Sequence, residues 1–222
     1  MISTRHLDGL PEPGRLERLC QSLALLDAIL SPVWEYRYYS FTAHWALHQR
    51  LASMRNGSGD EYFLLFTPQG AIMKGFAHEA PMTSYRRQPP QPWPGVLDHV
   101  PVAFADFLTE PAFDIEAVSF CLWRTPANAA WQIGPIAFPP GPDPDGSAYL
   151  LAILDGDPRT YKAFAEEYCD DESYRHPVLP LALIEQVYRH EPLTEEIVQG
   201  LSPRITLASL TDEIAELGYP GR

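Results

Sequence analysis

Two apolar runs that stand four residues apart constrain the fold more than any other feature of the chain. Residues 62–66 and 71–76 are each long enough for one strand, and Thr67-Pro68-Gln69-Gly70 between them is of hairpin length and contains two turn-forming residues. Because a short turn can join only antiparallel neighbours, the pair predicts an antiparallel sheet.

Further strands are predicted where aromatic or β-branched residues cluster between turn signals. These segments are residues 34–41, 115–123, 131–138 and 148–154. The last of them is an apolar run that follows Asp143-Pro144-Asp145-Gly146-Ser147, and we expect it to be a central strand.

Helical spacing of apolar residues predicts the remaining regular structure. Leucines recur every three or four residues through 14–30, and Ala43, Leu47, Leu51 and Met54 suggest a second helix over 43–55. A short helix is expected at 104–108, and the pattern is helical from Asp157 to the end.

Prolines mark two segments that should contain neither helix nor strand interior. Six prolines fall in 77–101 and five in 135–145, and proline cannot donate to a sheet ladder. Both segments are expected to be surface loops, and whether they cover a pocket stays open.

Together these patterns predict an α+β fold, with a mainly antiparallel sheet, helices packed against it and a helical C-terminal third. We expect a single domain over 1–222, made of a sheet-containing part, 1–154, and an acidic helical part, 155–222.

Composition narrows the class of protein. Hydrophobic residues form 45% of the chain, enough apolar surface to offset the entropy cost of folding, which excludes a disordered protein. The three cysteines lie far apart and form no CxxC pair, so we expect reduced thiols. Neither a signal segment nor a long apolar stretch stands in the sequence, and we expect a cytoplasmic protein with no membrane contact.

The charge is strongly negative. With 29 acidic and 16 basic residues the net charge is −13, and residues 155–222 hold 14 acidic and 6 basic residues, a net charge of −8. Because nucleic-acid binding draws its affinity from positive surfaces, DNA and RNA are not expected as partners.

Candidate chemistry is sparse. His78-Glu79 follows the hairpin and is the best candidate for an acid and base pair, although adjacent residues of a strand point to opposite faces. His44 and His48 have the spacing of a helical metal pair, but Trp45 stands where a zinc protease has glutamate, and no third ligand is apparent. We therefore expect neither metal nor cofactor.

Several segments carry a resemblance to known proteins. They are Trp34-Glu35-Tyr36-Arg37-Tyr38-Tyr39-Ser40-Phe41, Met54-Arg55-Asn56-Gly57-Ser58-Gly59-Asp60-Glu61-Tyr62-Phe63, Lys74-Gly75-Phe76-Ala77-His78-Glu79 and Tyr161-x-x-Phe164. On these the sequence resembles a family of uncharacterised bacterial cytosolic proteins. Its turn with Gly and Asp before a tyrosine-containing strand and its late Tyr-x-x-Phe helix are also similar to the SUKH-type immunity proteins, which neutralise secreted bacterial toxins. The resemblance implies no functional residue.

The charge, the sparse chemistry and the resemblance favour a non-enzymatic acidic binding protein, immunity-like, that neutralises a basic protein toxin. The carboxylates expected to contact the partner lie in the acidic C-terminal part: Glu166, Glu167, Asp170, Asp171 and Glu172. Trp93, between two prolines, is the tryptophan expected on a recognition surface. The alternative is an enzyme of unassigned class with a cleft near His78 and Glu79, and a homodimer is left open.

Overall fold

A six-stranded antiparallel sheet lies at the centre of the computed structural model, which describes residues 1–168 and 178–220. The strands are β1 (Tyr39–Ala46), β2 (Gln49–Arg55), β3 (Glu61–Thr67), β4 (Gly70–Phe76), β5 (Phe120–Arg124) and β6 (Gln132–Ile133). They follow one another across the sheet in chain order, so each strand pairs with its neighbours in sequence. The predicted α+β fold with a mainly antiparallel sheet is confirmed.

The predicted hairpin forms the middle of the sheet. Thr67 pairs with Gly70 at the turn, and the register continues to Glu61 opposite Phe76. Gly70 has φ +123°, and a Cβ at this position would lie 2.1 Å from the Arg124 carbonyl oxygen of β5. The turn therefore requires glycine on two grounds, backbone conformation and close approach of a neighbouring strand.

Seven helices are present in the described residues. They are α1 (Pro13–Leu30), α2 (Ala105–Thr109), α3 (Ser147–Leu150), α4 (Pro158–Tyr168), α5 (Leu181–Tyr188), α6 (Glu195–Leu201) and α7 (Thr211–Leu217). The longest, α1, covers the predicted stretch 14–30 and begins one residue earlier: Pro13 occupies its first turn, and the Glu12 carboxylate accepts hydrogen bonds from the backbone of Gly14 and Arg15.

One face of the sheet is covered by helices, and we call it the helical side. Its core joins Leu23 and Leu26 of α1 to Leu64 of β3 and Met73 of β4. The C-terminal helices add Tyr161, Ile184, Val198 and Leu217 to the same buried cluster. The acidic C-terminal part therefore packs against α1 and closes the helical side from outside.

The opposite face is covered by the irregular chain between β4 and β5, and we call it the loop side. Phe104, Phe107 and Phe113 from this segment pack on Phe63 and Ile72 of the sheet. Trp93 is half-buried against this cluster, and its indole N–H donates to the Ala137 carbonyl at 3.1 Å. Met82 and Val96 of the first proline-rich segment are buried in the same cluster, so this segment is in part a packed layer that Trp93 helps to anchor.

The predicted helix over 43–55 is wrong. This stretch is the end of β1, a turn at Leu47 and His48, and β2; Thr42 pairs with Leu51. Leu51 points to the loop side, and Ala52 and Met54 join the helical-side core, so the spacing reflects a strand covered on both faces. Pairing within the sheet therefore decides the structure of this stretch, despite the helical spacing of its apolar residues. His44 lies in β1 and His48 in the turn, so the two histidines do not share a helix face.

The predicted strand over 148–154 is also wrong, because the segment forms α3 and a 3-10 turn, Ala152–Asp155. Gly146 starts it with φ +75°, and the Asp143 carboxylate accepts the backbone N–H groups of Ala148 and Tyr149. These contacts satisfy backbone N–H groups at the start of the helix. The prediction failed because hydrophobic periodicity alone cannot distinguish a short buried helix from a buried strand.

Three predicted strands are shorter than expected. The segment 34–41 begins with a 3-10 turn, Trp34–Tyr36, and enters β1 at Tyr39. Only the end of 115–123 and two residues of 131–138 are in the sheet, as parts of β5 and β6. In residues 1–168 and 178–220, no helix combines the length and the apolar character that crossing a bilayer requires.

Candidate functional site

The predicted partner-binding carboxylates are placed in part. Glu166 and Glu167 lie in the last turn of α4 and are exposed, whereas Asp170, Asp171 and Glu172 lie outside the described residues. Glu166 has local partners: it pairs with Lys162 and accepts the Leu179 backbone N–H at 2.9 Å. The hydrogen bond from Lys162, followed by that from Leu179, lowers the pKa of Glu166.

Large aromatic side chains are exposed on the segment before β1, on α3 and at the end of α4. The exposed fraction is 60% for Trp34, 53% for Tyr36, 62% for Tyr149 and 42% for Tyr168. We call these four residues, with the half-buried Tyr38, the aromatic face. Exposed aromatic rings that stand close together are typical of binding surfaces, because each offers a large contact area at a small cost in conformational entropy.

Contacts between α4 and the segment before β1 hold part of this face together. The Tyr168 ring packs edge-on against Tyr38, with 4.4 Å between ring centroids, and stacks on Phe164. Its hydroxyl donates to the Tyr36 carbonyl at 3.0 Å. Burial raises the pKa of Tyr38, and Tyr168 and Tyr149 raise it further.

Asp27 of α1 binds the backbone of the segment before β1. Its carboxylate accepts the backbone N–H groups of Tyr38 and Tyr39, each at 2.9 Å, and the Tyr161 hydroxyl at 2.8 Å. Burial raises the pKa of Asp27 to about 6, although all three hydrogen bonds oppose this change. The backbone that carries the aromatic face is therefore fixed to both α1 and α4.

Arg37 fixes the other end of the segment. Its guanidinium donates to the Ser31 carbonyl at 2.9 Å and pairs with Glu213 of α7 at 2.8 Å. The Arg37 side chain is only 9% exposed, so this ion pair is partly shielded from water. The contacts of Arg37 and Asp27 together hold residues 31–39 in place, although residues 37 and 38 belong to neither a helix nor a strand.

Carboxylates border the aromatic face. A cleft of about 220 Å³ is lined by Trp34, Arg37, Glu213 and Glu216, and Glu35 stands exposed between Trp34 and Tyr36. On the α4 side, Glu167 precedes Tyr168. The face combines exposed rings with negative charge, a combination that suits arginine and lysine side chains of a partner.

The catalytic alternatives, His78 and Glu79, stand exposed after the end of β4. His78 Nδ1 lies 2.8 Å from Asp60 Oδ1, and the His78 backbone N–H donates to the same oxygen at 2.9 Å. Asn56 donates to the other Asp60 oxygen at 2.7 Å. Burial acts to raise the pKa of Asp60, but the interactions with His78 and Asn56 together lower it, and this carboxylate orients the imidazole.

His78 and Glu79 are brought together, with His78 Nε2 3.8 Å from Glu79 Oε1. The Glu79 side chain is 89% exposed, so its carboxylate is in contact with water and is not enclosed in a cavity. Neither residue lines the clefts at α1, at Trp34, at Pro68 or at Leu207.

Sequence reasoning missed the aromatic face. Residues 34–41 were interpreted as one strand, and in a strand Trp34 and Tyr36 would point to a buried side. Two signals could have found the face: Pro32 two residues before the segment, which favours an irregular start, and Asp27 within the otherwise apolar run 23–30 at the end of α1. No protein-family model, curated protein or solved structure matches the chain.

Proposed function

We propose that this chain is a non-enzymatic, immunity-like binding protein that acts in the cytoplasm and binds a basic protein through the aromatic face. The observation that carries the proposal is the pair of exposed rings, Trp34 and Tyr36, on a segment fixed by Asp27 and Arg37 and bordered by carboxylates. Nucleic acid and membranes are not partners in this proposal.

Preorganisation supports this assignment. Tryptophan and tyrosine are over-represented among the residues that contribute most binding energy in protein interfaces. A segment already held in one conformation loses little entropy when it binds, so more of the contact energy appears as affinity. The Asp27 and Arg37 contacts supply this rigidity before a partner arrives.

Charge supports a basic partner. The chain has a net charge of −13, and Glu35, Glu167 and Glu216 stand around the aromatic face. Arginine can stack its guanidinium on an aromatic ring while it pairs with a neighbouring carboxylate, which makes it the complementary residue for such a surface. Opposite charge also raises the association rate.

The test uses the full chain as bait for lysate proteins of the producing organism, with matched variants. We expect the wild type to retain a basic protein, and Trp34→Ala with Tyr36→Ala to weaken its binding at least about tenfold. Tyr85→Ala is the control, because Tyr85 is equally exposed but packs against Phe76 of β4 and is not part of the aromatic face. Equal retention by the face variant, or retention of no basic protein, would contradict the proposal.

The wild-type chain and the Trp34 and Tyr36 variant also test whether the protein self-associates. If two copies pair through the aromatic face, light scattering will show a dimer that the Trp34 and Tyr36 variant converts to monomer, and the proposed basic partner is then replaced by a second copy. A monomer in both cases is the result expected here.

The orientation of His78 by Asp60 favours one second candidate, an enzyme in which His78 exchanges a proton with a substrate through Nε2. In this case His78→Gln abolishes turnover in a panel of ester, amide and phosphate substrates, and Asp60→Asn reduces it. Turnover that survives His78→Gln would exclude this candidate.

A further inference from the structure

A cleft of about 530 Å³ opens on the helical side, away from the aromatic face. Its walls are the first turns of α1, the chain that enters α4 at Gly156 and Pro158, and the last turn of α5. Three arginines line it, Arg15, Arg18 and Arg189. In a chain with almost twice as many acidic as basic residues, three guanidinium groups around one cleft need a physical reason.

Two of these arginines have no carboxylate partner within the described part of the chain. The Arg18 guanidinium reaches the Arg189 carbonyl at 3.4 Å, and Arg15 has neither a hydrogen bond from its guanidinium nor an ion pair with any described residue. Because Arg15 and Arg18 are three residues apart on α1, they share one helix face and repel each other. An anion between them would remove this repulsion.

Two acidic residues, Glu12 and Glu185, line the cleft, and each already has a partner other than the Arg15 and Arg18 side chains. Glu12 caps α1 through the Gly14 and Arg15 backbone. Glu185 lies 3.9 Å from Arg189, which also pairs with Glu191 at 2.7 Å, and Asp157 pairs with Arg159. These contacts leave the positive charge of Arg15 and Arg18 directed at the open space.

Two helices, α1 with 18 residues and α4 with 11 residues, begin at the cleft. The Glu12 and Asp157 carboxylates already accept backbone N–H groups at these two helix starts, so the positive charge of the cleft comes from the arginine side chains. Arg15 lies over the start of α4, since a Cβ at Gly156 would be 3.7 Å from Arg15 Nη2. Arginine side chains bind phosphate groups through charge-assisted, often paired, hydrogen bonds.

The rest of the lining is mixed, because apolar residues stand beside two carboxylate residues, Glu12 and Glu185. Leu19 and the ring of Tyr188 line the cleft, and the Tyr188 hydroxyl is buried without a hydrogen-bond partner in the described residues. Burial raises the pKa of Tyr188, so its hydroxyl stays protonated at neutral pH. A volume of this size is within the range of clefts that hold small organic molecules, and it exceeds what one inorganic ion requires.

We propose that the cleft binds a small phosphate monoester, with its phosphoryl group between Arg15 and Arg18 and its organic part against Leu19 and Tyr188. This site is separate from the aromatic face, and the proposal does not rest on the proposed function. A nucleoside monophosphate and a sugar phosphate share the chemistry that the cleft recognises.

Calorimetric titration of the full chain tests the proposal with four probes: adenosine monophosphate, ribose 5-phosphate, adenosine and inorganic phosphate. We expect saturable binding of at least one of the two esters. Adenosine and inorganic phosphate should each bind at least about tenfold more weakly, because each lacks one of the two recognised parts. Binding of neither ester, or equal binding of inorganic phosphate or adenosine, would overturn the proposal.

Variants connect the binding to the cleft. Arg15→Gln and Arg18→Gln should each weaken ester binding about tenfold or more, and the double variant should abolish it. Both side chains are exposed, so the variants should unfold at the wild-type temperature. Arg159→Gln is the matched control, since Arg159 pairs with Asp157 nearby but does not line the cleft, and its affinity should stay within about twofold of wild type. Wild-type affinity in the double variant would show that the ester binds elsewhere.

Discussion

The two sides of the sheet are closed by different kinds of chain, and on each side a buried charged side chain binds irregular backbone where it meets regular structure. On the helical side Asp27 accepts the N–H groups of Tyr38 and Tyr39, which precede and begin β1. On the loop side Lys74 of β4 donates to the carbonyls of Asp114 and Ala117 and pairs with Glu61.

The difference in sign follows from what the irregular backbone lacks. Helices satisfy their own backbone groups, so a layer of helices needs few side-chain partners, whereas irregular chain must find partners for its N–H and C=O groups. The loop layer presents carbonyls and is met by a cation; the segment before β1 presents N–H groups and is met by an anion. Each buried charge is a requirement of irregular structure at that position.

The largest expected effect tests whether the loop layer can detach by itself. Phe113 is fully buried and packs against Trp45, Phe63 and Phe107, so Phe113→Ala should cost about 4 kcal/mol of the free energy of unfolding. Hydrogen exchange should show lost protection at residues 102–119 with α1 still protected. Leu25→Ala on the helical side is the matched comparison, since it should lower protection on both sides. Loss of protection in α1 of the Phe113 variant would show that the two sides unfold as one unit.

The second prediction uses the two lysines of the chain, one buried and one at the surface. Lys74 is fully buried, so Lys74→Met removes the donor of two carbonyls and should cost about 3 kcal/mol, less than a fully enclosed pair because Glu61 keeps contact with water. Lys162→Met should change stability by less than about 1 kcal/mol, because its pair with Glu166 lies at the surface. Urea denaturation measures the free energy of unfolding of both variants. Equal losses of stability would contradict the inference that the loop layer requires a buried cation.

The smallest expected effect is the pH dependence that Asp27 contributes. Because its pKa rises from 3.8 to about 6 on folding, the folded chain holds a proton that the unfolded chain releases, and stability falls as pH increases through this range. We expect Asp27 to account for a loss of about 2 kcal/mol between about pH 4 and about pH 6.

Asp27→Asn provides the comparison. Its amide oxygen can accept from Tyr38 and Tyr39, and its amide nitrogen can donate to the Tyr161 hydroxyl, so the fold should persist without the titration. The stability of wild type relative to this variant, measured by urea denaturation at several pH values, should decline as pH rises. A constant difference would show that Asp27 is already ionised throughout the range.

Much of this arrangement follows from the sequence, and the exceptions have physical causes. The β3–β4 hairpin and α1 were predictable because each is decided locally, by a turn with Pro68 and Gly70 and by a leucine stripe with a proline near its start. The segment 43–55 was not, because β2 is covered on both faces, and a strand of this kind loses the alternation that identifies strands.

For the candidate site, the acidic C-terminal part was predictable from composition, and the position of the aromatic face was not. Tyr168 meets Tyr36 and Tyr38 across 130 residues of chain, and no local pattern encodes that contact. The arginine cleft likewise forms only where α1, α4 and α5 meet, so no local sequence pattern shows that Arg15 and Arg189 line the same cleft.

The agreement between strand order and chain order has a consequence for synthesis on the ribosome. Each strand emerges next to a partner that is already present, so the sheet and its loop layer can assemble before α4 leaves the exit tunnel. Until then only α1 and residues 147–155 shield the helical side, and the Asp27 carboxylate lacks the hydrogen bond from the Tyr161 hydroxyl. The nascent chain therefore exposes apolar surface on one known side, which is where a chaperone would bind.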